Sequence, residues 1–405
     1  MQDVREVLNI KIESTYWDEA YKKALSEPEI PEWLTEGFIR KLNDEYDVIP
    51  KSFDLLLEAL PHVVSVPELC LLAKTLYHIL MHKKSYSKAF TCFEFPKAPS
   101  AVTNTIGYDC FSIFPILAHL PFSWDELKAR GIEDTICRDS LRWVDNYFEG
   151  TSRKSGKVAF AESSFPLYSL AIYVYNLYIG RLRFEIHENS VRPMRMFQNQ
   201  QGELCPLADN AMIHASGHIL GTFACEDEAG AYSADFVETE DAYEGYTVDE
   251  TTRLFTKKRV RLLKSEWKQV FASGDTVVKV HIPFGGKMTK EMCEESYSKA
   301  REVFANCYPD YQFAGFQIGC WMLSPELKDI LSPESNIIAF QKNYTIYPIE
   351  NNALDAFLYV YGIEAPKASD VVLADLPEDN SMRRGVKQKS LEGKYVYQFG
   401  GYMPL

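Results

Sequence analysis

Thr276-Val-Val-Lys-Val-His-Ile-Pro-Phe-Gly-Gly-Lys-Met-Thr289 is the stretch on which the reading of this chain turns. Its first seven residues are rich in β-branched side chains and predict a strand. Pro283-Phe-Gly-Gly286 predicts a turn. Thr289 is placed to cap a helix running to about Asn306, with Tyr297, Ala300, Val303, Phe304 and Cys307 on its inner face. A second strand is expected over Phe313–Leu323. A strand, glycine turn, helix and second strand have a physical use. Two glycines tolerate positive φ and let the backbone approach a ligand. The unpaired amides at the helix start carry partial positive charge and can hold a phosphate. The competing reading is a plain structural turn, because Glu291, Glu294 and Glu295 already complement the helix dipole.

Outward from this unit the patterns divide the chain. Residues 1 to about 150 read as helices. Leu71, Leu72, Leu76, Ile79 and Leu80 recur at helical spacing between Glu68 and Met81. Further helices are expected over Cys110–Leu120, ending at Pro121, and over Ile132–Phe148, with Ser123-Trp-Asp-Glu126 between them as a capping box. The polar segment Gly150-Thr-Ser-Arg-Lys-Ser-Gly-Lys157 marks a boundary, giving a helical domain over 1–152 and a second domain over 153–405. The second domain is read as a buried helix at 165–180, then strands near 181–186, 193–198, 210–215 and 258–263. An acidic irregular stretch is expected over Glu226–Glu250, and a helix over Ser381–Glu392 followed by a last strand over Tyr395–Phe399. The fold class is therefore α+β.

The 405 residues suffice for two or three domains with real cores, and 13% aromatic residues argue against disorder. A net charge of -14 argues against general binding to nucleic acid or to an anionic membrane. The longest uncharged apolar stretch, Phe165–Gly180, falls short of the ~20 residues of a membrane span. Nine scattered cysteines without a CxxC pair read as reduced thiols. The start of the chain lacks the apolar core of a signal peptide, so the expected location is the cytoplasm.

The stretch from Val277 to Phe304 resembles the HIP-x-G-x-L/M-T signature of a bacterial family of acyltransferases with a GNAT-like C-terminal domain. Tyr178-Ile-Gly-Arg-Leu-Arg-Phe-Glu185, Trp321-Met-Leu-Ser-Pro325, Ser335-Asn-Ile-Ile-Ala-Phe-Gln341 and Asp375-Leu-Pro-Glu-Asp-Asn-Ser-Met382 resemble its further motifs, in order. The resemblance implies a helical N-terminal domain followed by a GNAT-like mixed-sheet domain, in which two strands splay apart around pantetheine. It implies that Ile282, Pro283, Gly285, Gly286, Lys287 and Thr289, with Trp321, hold an acyl-CoA as co-substrate, without a metal. Lys287 stands where the general phosphate loop has a second small residue, and Ile282 where it has Gln or Arg. The acyl acceptor is expected to be a small amine, and the helical half to shape the acceptor side or a homodimer contact. A non-catalytic ligand- or partner-binding protein is the alternative.

Acyl transfer to an amine needs a base, donors for the oxyanion and an acid for the leaving thiolate. His281, ending the strand beside the expected gap, is the first candidate base; the other reading is a histidine that ties the turn together. Glu185 and His187 share one strand face and are candidate base or substrate ligands, or simply a solvated face. Cys320 is a candidate thiol nucleophile or an inert buried thiol. Tyr297, Tyr344 and Tyr397 are candidate acids. His214 and His218 are four apart, but Ser216-Gly217 interrupts any helix, so a strand and turn are expected rather than a metal site. The acidic run from Glu238 to Glu250 would either attract a cationic acceptor or form a solvated loop.

Overall fold

A computed structural model describes residues 3–82, 90–94, 110–146, 160, 165 and 169–405. The chain divides into two compact units, Met1–Ile179 and Gly180–Leu405. The segment 149–157 expected to mark the boundary lies outside the described residues.

The first unit is mainly helical. Pro67 opens the helix Pro67–Leu80 at a position where its missing N–H costs nothing, and Leu69, Leu72, Leu76 and Ile79 are buried along one stripe. A short ladder joins β1 (Lys11–Glu13) to β2 (Cys92–Glu94). The helix Phe53–Val64 starts from a buried side-chain cap. Asp145 is fully buried and accepts from the Ser52 hydroxyl at 2.6 Å, the Ser52 amide at 2.8 Å and the Lys51 amide at 2.9 Å. Removing this carboxylate strands donors that the helix start cannot otherwise satisfy. Asp145→Ala is expected to destabilise the protein by about 2–4 kcal/mol, read as a lower urea midpoint.

Three expectations in this unit are corrected. Pro121 does not end a helix; it sits in the first turn of the helix Leu120–Ala129, where proline is tolerated. Ser123 is inside that helix, and its hydroxyl donates to the carbonyl of Ile172 at 2.8 Å rather than capping. Of the 165–180 stretch, Phe165 is helical, but the described part from Ser169 is a 3-10 turn at Ser169–Ile172 followed by β3 (Asn176–Ile179).

Among the described residues, the second unit holds strands of two large sheets and one two-stranded pair. The first contains β4 (Leu182–His187), β13 (Val277–His281), β14 (Phe316–Cys320), β15 (Thr345–Pro348) and β16 (Phe399–Met403), in the order β15-β16-β14-β13-β4. Within it β13 and β14 are parallel and the other neighbours antiparallel. Parallel neighbours need a crossover, supplied by the helix Lys290–Cys307. That helix packs Tyr297 and Phe304 on Phe184 and Tyr297 on Phe316, at ring separations of 5.7–6.3 Å. The other sheet contains β5 (Met194–Asn199), β6 (Leu204–Ala208), β10 (Ala242–Val248), β11 (Phe255–Leu263) and β12 (Trp267–Phe271), with β9 (Val237–Glu238) on β10. The strands β7 (Ala211–Ile213) and β8 (Tyr232–Ala234) pair separately. Met194, Met196, Phe271, Val277, Tyr347 and Tyr402 share one buried cluster.

The stretch Glu226–Glu250 is not irregular, since it carries β8, β9 and β10. Its acids point outward and meet the basic strand beside them: Arg261 pairs with Asp241 at 2.6 Å and Glu244 at 3.2 Å, and Lys264 with Glu238 at 2.7 Å. Phe313–Leu323 is strand only over β14, and Trp321–Leu323 is a 3-10 turn. The last strand lies at Phe399–Met403, not Tyr395–Phe399. Gly400 and Gly401 concealed it, as glycine disfavours strands. Packing demands them here: a Cβ on Gly400 would collide with the Tyr347 ring, and one on Gly401 would sit 2.7 Å from Leu323 Cδ1.

Candidate functional site

The parallel pairing of β13 with β14 covers only Val278 with Phe316 and Lys279 with Gln317. Beyond it each strand stays with its outer neighbour. Val280 and His281 remain opposite Phe184 and Arg183, while Ile318, Gly319 and Cys320 remain opposite Gly401, Gly400 and Phe399. The two strands therefore part at their carboxyl ends. Ladder hydrogen bonds between them stop there, so the facing backbone groups of the two strands no longer satisfy each other.

The chain leaves β13 into the glycine turn. Gly285 and Gly286 have φ of 82° and 72°, a region that side chains with a Cβ rarely enter. Phe284 to Lys287 are exposed, and Ile282, Pro283 and Thr289 half-buried. Arg181 holds the turn from within. Its Nη2 donates to the carbonyls of Pro283 at 3.0 Å and Gly285 at 2.8 Å, and its Nε to that of Lys287 at 3.0 Å. The Arg181 amide in turn donates to Ser296 Oγ at 2.8 Å, fixing it to the crossover helix. Thr289 caps that helix as expected, accepting from the Met292 amide at 3.3 Å. Glu291, in the first turn, has its carboxyl held below the usual range by its own backbone amide and the Thr289 hydroxyl. An acid thus already uses part of the helix start, and Lys287, Lys290 and Arg181 supply the balancing positive charge.

His281 and Glu185 come together. The His281 Nε2–H donates to Glu185 Oε2 at 2.7 Å, across adjacent antiparallel strands. Burial pushes the Glu185 carboxyl up, but the His281 hydrogen bond and the Lys279 and Arg183 charges outweigh it and bring it to about 2. Burial, reinforced by Arg183 and Lys279, lowers His281 to about 4. The pair is therefore a carboxylate and a neutral imidazole at neutral pH. Its tautomer leaves Nδ1 without a proton, and Nδ1 makes no hydrogen bond to a described residue. His187 lies on the same face, 4.0 Å from Glu185, and burial lowers its pKa.

The remaining candidates are placed differently. Cys320 ends β14 and its sulfur accepts from the Met322 amide at 3.3 Å. Burial pushes its thiol up to about 12, so it is protonated and a poor nucleophile at neutral pH. Cys320→Ala is expected to leave transfer activity within about twofold, and Cys320 to resist iodoacetamide at pH 8 by mass spectrometry. Trp321 is 7% exposed and packs with Leu327, Ile338 and Val386, stacking on Tyr359. Tyr297 and Tyr344 share a hydroxyl–hydroxyl bond, and burial raises both phenols above their usual range. Tyr397 donates to the carbonyl of Phe223 at 3.0 Å. His214 and His218 lie in a tight turn after β7, and no group of three metal-ligating residues exists among the described residues. Arg181 and Lys279 escaped the sequence reading. Arg181 acts on carbonyls 102–106 residues away, and no local pattern marks such a clamp.

The model of the GNAT-like C-terminal domain family matches residues 177–403, more than half of the chain. The chain belongs to that family. Solved structures resemble the whole chain. An acyltransferase in complex with decanoyl-CoA aligns with a TM-score of 0.61 at 17% identity, covering 99% of this chain and 98% of that one. An acyltransferase in complex with decanoyl-CoA and teicoplanin aligns with a TM-score of 0.61 at 16% identity over the same shares. At these identities the likeness shows the fold. No curated protein matches the chain by sequence. In the GNAT-like domain of this chain, β13, the crossover helix and β14 are the parting strands and intervening helix that the family resemblance implied.

Proposed function

We propose that this protein transfers an acyl group from acyl-CoA directly to an amine acceptor. The observation that carries this reading is the parting of β13 from β14 beside a glycine turn clamped by Arg181. The pantetheine arm would pair with the unused backbone edges, and the pyrophosphate would meet the turn and the helix start. Ile282, Pro283, Gly285, Gly286, Lys287 and Thr289 line that approach. The acyl-CoA complexes of the structural neighbours support the same use of the fold.

His281 Nδ1 would take the amine proton as nitrogen attacks the thioester carbon, and the C–S bond then breaks. Glu185 holds the imidazole in the required tautomer and stabilises the imidazolium that forms. The amine must already be neutral when it attacks; the imidazolium formed by taking its surplus proton then returns that proton to the departing sulfur.

Calorimetry with octanoyl-CoA, acetyl-CoA and adenosine 3′,5′-bisphosphate tests the reading. Micromolar binding of the thioesters, weaker binding of the nucleotide fragment and competition between them are expected. No heat and no thermal shift with any of the three would overturn it.

A further inference from the structure

A second set of catalytic groups lies outside the His281–Glu185 pair, in the turn that follows β7. His214 Nδ1 receives the Ser216 backbone N–H at 3.2 Å. An amide can only donate, so Nδ1 is unprotonated and the proton sits on Nε2. That Nε2–H points at Asp227 Oδ2, 3.2 Å away. The Ser216 hydroxyl lies 2.7 Å from the same Nδ1 and donates to it. Carboxylate, imidazole and hydroxyl therefore stand in the order a nucleophilic serine requires. His218 adds a second imidazole, with Nδ1 3.0 Å from Ser216 Oγ. Burial lowers His218 to about 4, so it is neutral; with the serine hydrogen given to His214, the Nδ1 of His218 is left to donate to the serine oxygen. A hydroxyl that only closed its own turn would need neither the second imidazole nor the carboxylate.

The turn is held rigidly. The His214 amide donates to the His218 carbonyl at 2.9 Å, and the Gly217 amide to the His214 carbonyl at 2.9 Å. Gly217 has φ of 92°, and a Cβ there would lie 2.5 Å from the Phe255 carbonyl. Ile213 and Ile219 anchor both sides in the core, while Ser216 is exposed. The His218 ring meets Tyr397 at 4.7 Å and Phe399 at 6.2 Å, and Phe399 is the register partner of Cys320 at the end of β14. The cluster thus stands at the end of the sheet where β14 parts from β13.

We infer that Ser216, His214 and Asp227 form a nucleophilic site that accepts an acyl group from an activated ester or thioester. Ser216 Oγ attacks the carbonyl carbon and forms a C–O bond, while its proton passes to His214 Nδ1. The tetrahedral adduct collapses, the C–O or C–S bond to the leaving group breaks, and His214 returns the proton to the departing oxygen or sulfur. Water or an amine then attacks the same carbon through the same base, and Ser216 regains its proton. His218, hydrogen-bonded to Ser216 Oγ, holds the hydroxyl beside His214, and Asp227 positions His214.

The test uses the full chain with p-nitrophenyl octanoate, which contains no CoA, so a failure of coenzyme binding leaves it readable. A burst of p-nitrophenol and an octanoyl mass adduct mapped to the Ser216 peptide are expected. Ser216→Ala should abolish the adduct, and Asp227→Asn should slow its formation about tenfold or more while the circular dichroism spectrum is unchanged. A fluorophosphonate probe should label the same serine. A folded protein with neither burst nor adduct, or labelling that persists in Ser216→Ala, would overturn the inference.

Discussion

His281→Ala is expected to lower kcat/KM for acyl transfer by about 10²–10⁴-fold, the range that a positioned general base contributes. The fold should survive, because the His281 side chain is 26% exposed and, among the described residues, its side-chain hydrogen bond is with Glu185, itself 27% exposed. Glu185→Gln should cost less, about tenfold, since an amide can still accept from Nε2 but does not stabilise an imidazolium. The pH profile separates this base from any other. With His281 lowered to about 4, the base stays unprotonated through the neutral range, and kcat/KM corrected for the neutral fraction of the amine should fall only as pH drops toward 4. A limb near 6.5, where an unperturbed histidine titrates, would point to a different group. Stability follows the same sign. Below its unfolded pKa the buried imidazole resists protonation, so folding free energy is lost as pH falls from about 6.5 toward 4. The Glu185 contribution is complete above the ordinary carboxyl range and disappears as pH falls toward about 2.

Arg181→Met is expected to weaken acyl-CoA binding at least tenfold, about 1.4 kcal/mol, and to lower Tm by a few degrees. Hydrogen bonds from a charged donor contribute about 1.5–3 kcal/mol each where buried, and less for a guanidinium partly open to water. The loss exceeds the bonds themselves. Without the guanidinium, the carbonyls of Pro283, Gly285 and Lys287 are free to turn, and the amides that should face phosphate lose their alignment. Arg181→Lys should not rescue, because an ammonium cannot span carbonyls on both sides of the turn with the fork geometry of arginine. Calorimetry of the folded variants with octanoyl-CoA decides this, and unchanged affinity in Arg181→Met would show that the turn holds its shape unaided.

Both predictions rest on residues of different legibility. The strand ending in His281, the glycine turn, the Thr289 cap and the crossover helix were readable because each is written in consecutive residues. Alternation, positive-φ glycines, a capping hydroxyl and an apolar stripe are local signals. The same logic failed where a local signal was weak or borrowed. The strand Phe399–Met403 hides behind two glycines that exist for the sake of Tyr347 and Leu323. The acidic stretch read as irregular because its partner charges lie elsewhere, Arg261 on the neighbouring strand and Lys264 in the turn after it.

The sequence by itself determined a chain with a helical first part and a mixed-sheet second part, and it singled out the unit around Gly285 and Gly286. Tertiary structure alone decided that β13 and β14 part after Lys279 and Gln317, that Glu185 reaches His281, and that Arg181 grips the turn. It also decided that Asp227 meets His214. The reason is range. Backbone propensity acts over a few residues and survives in any local reading, whereas hydrogen bonds between groups 13 to 106 residues apart exist only once the folded backbone brings them within 3 Å or so.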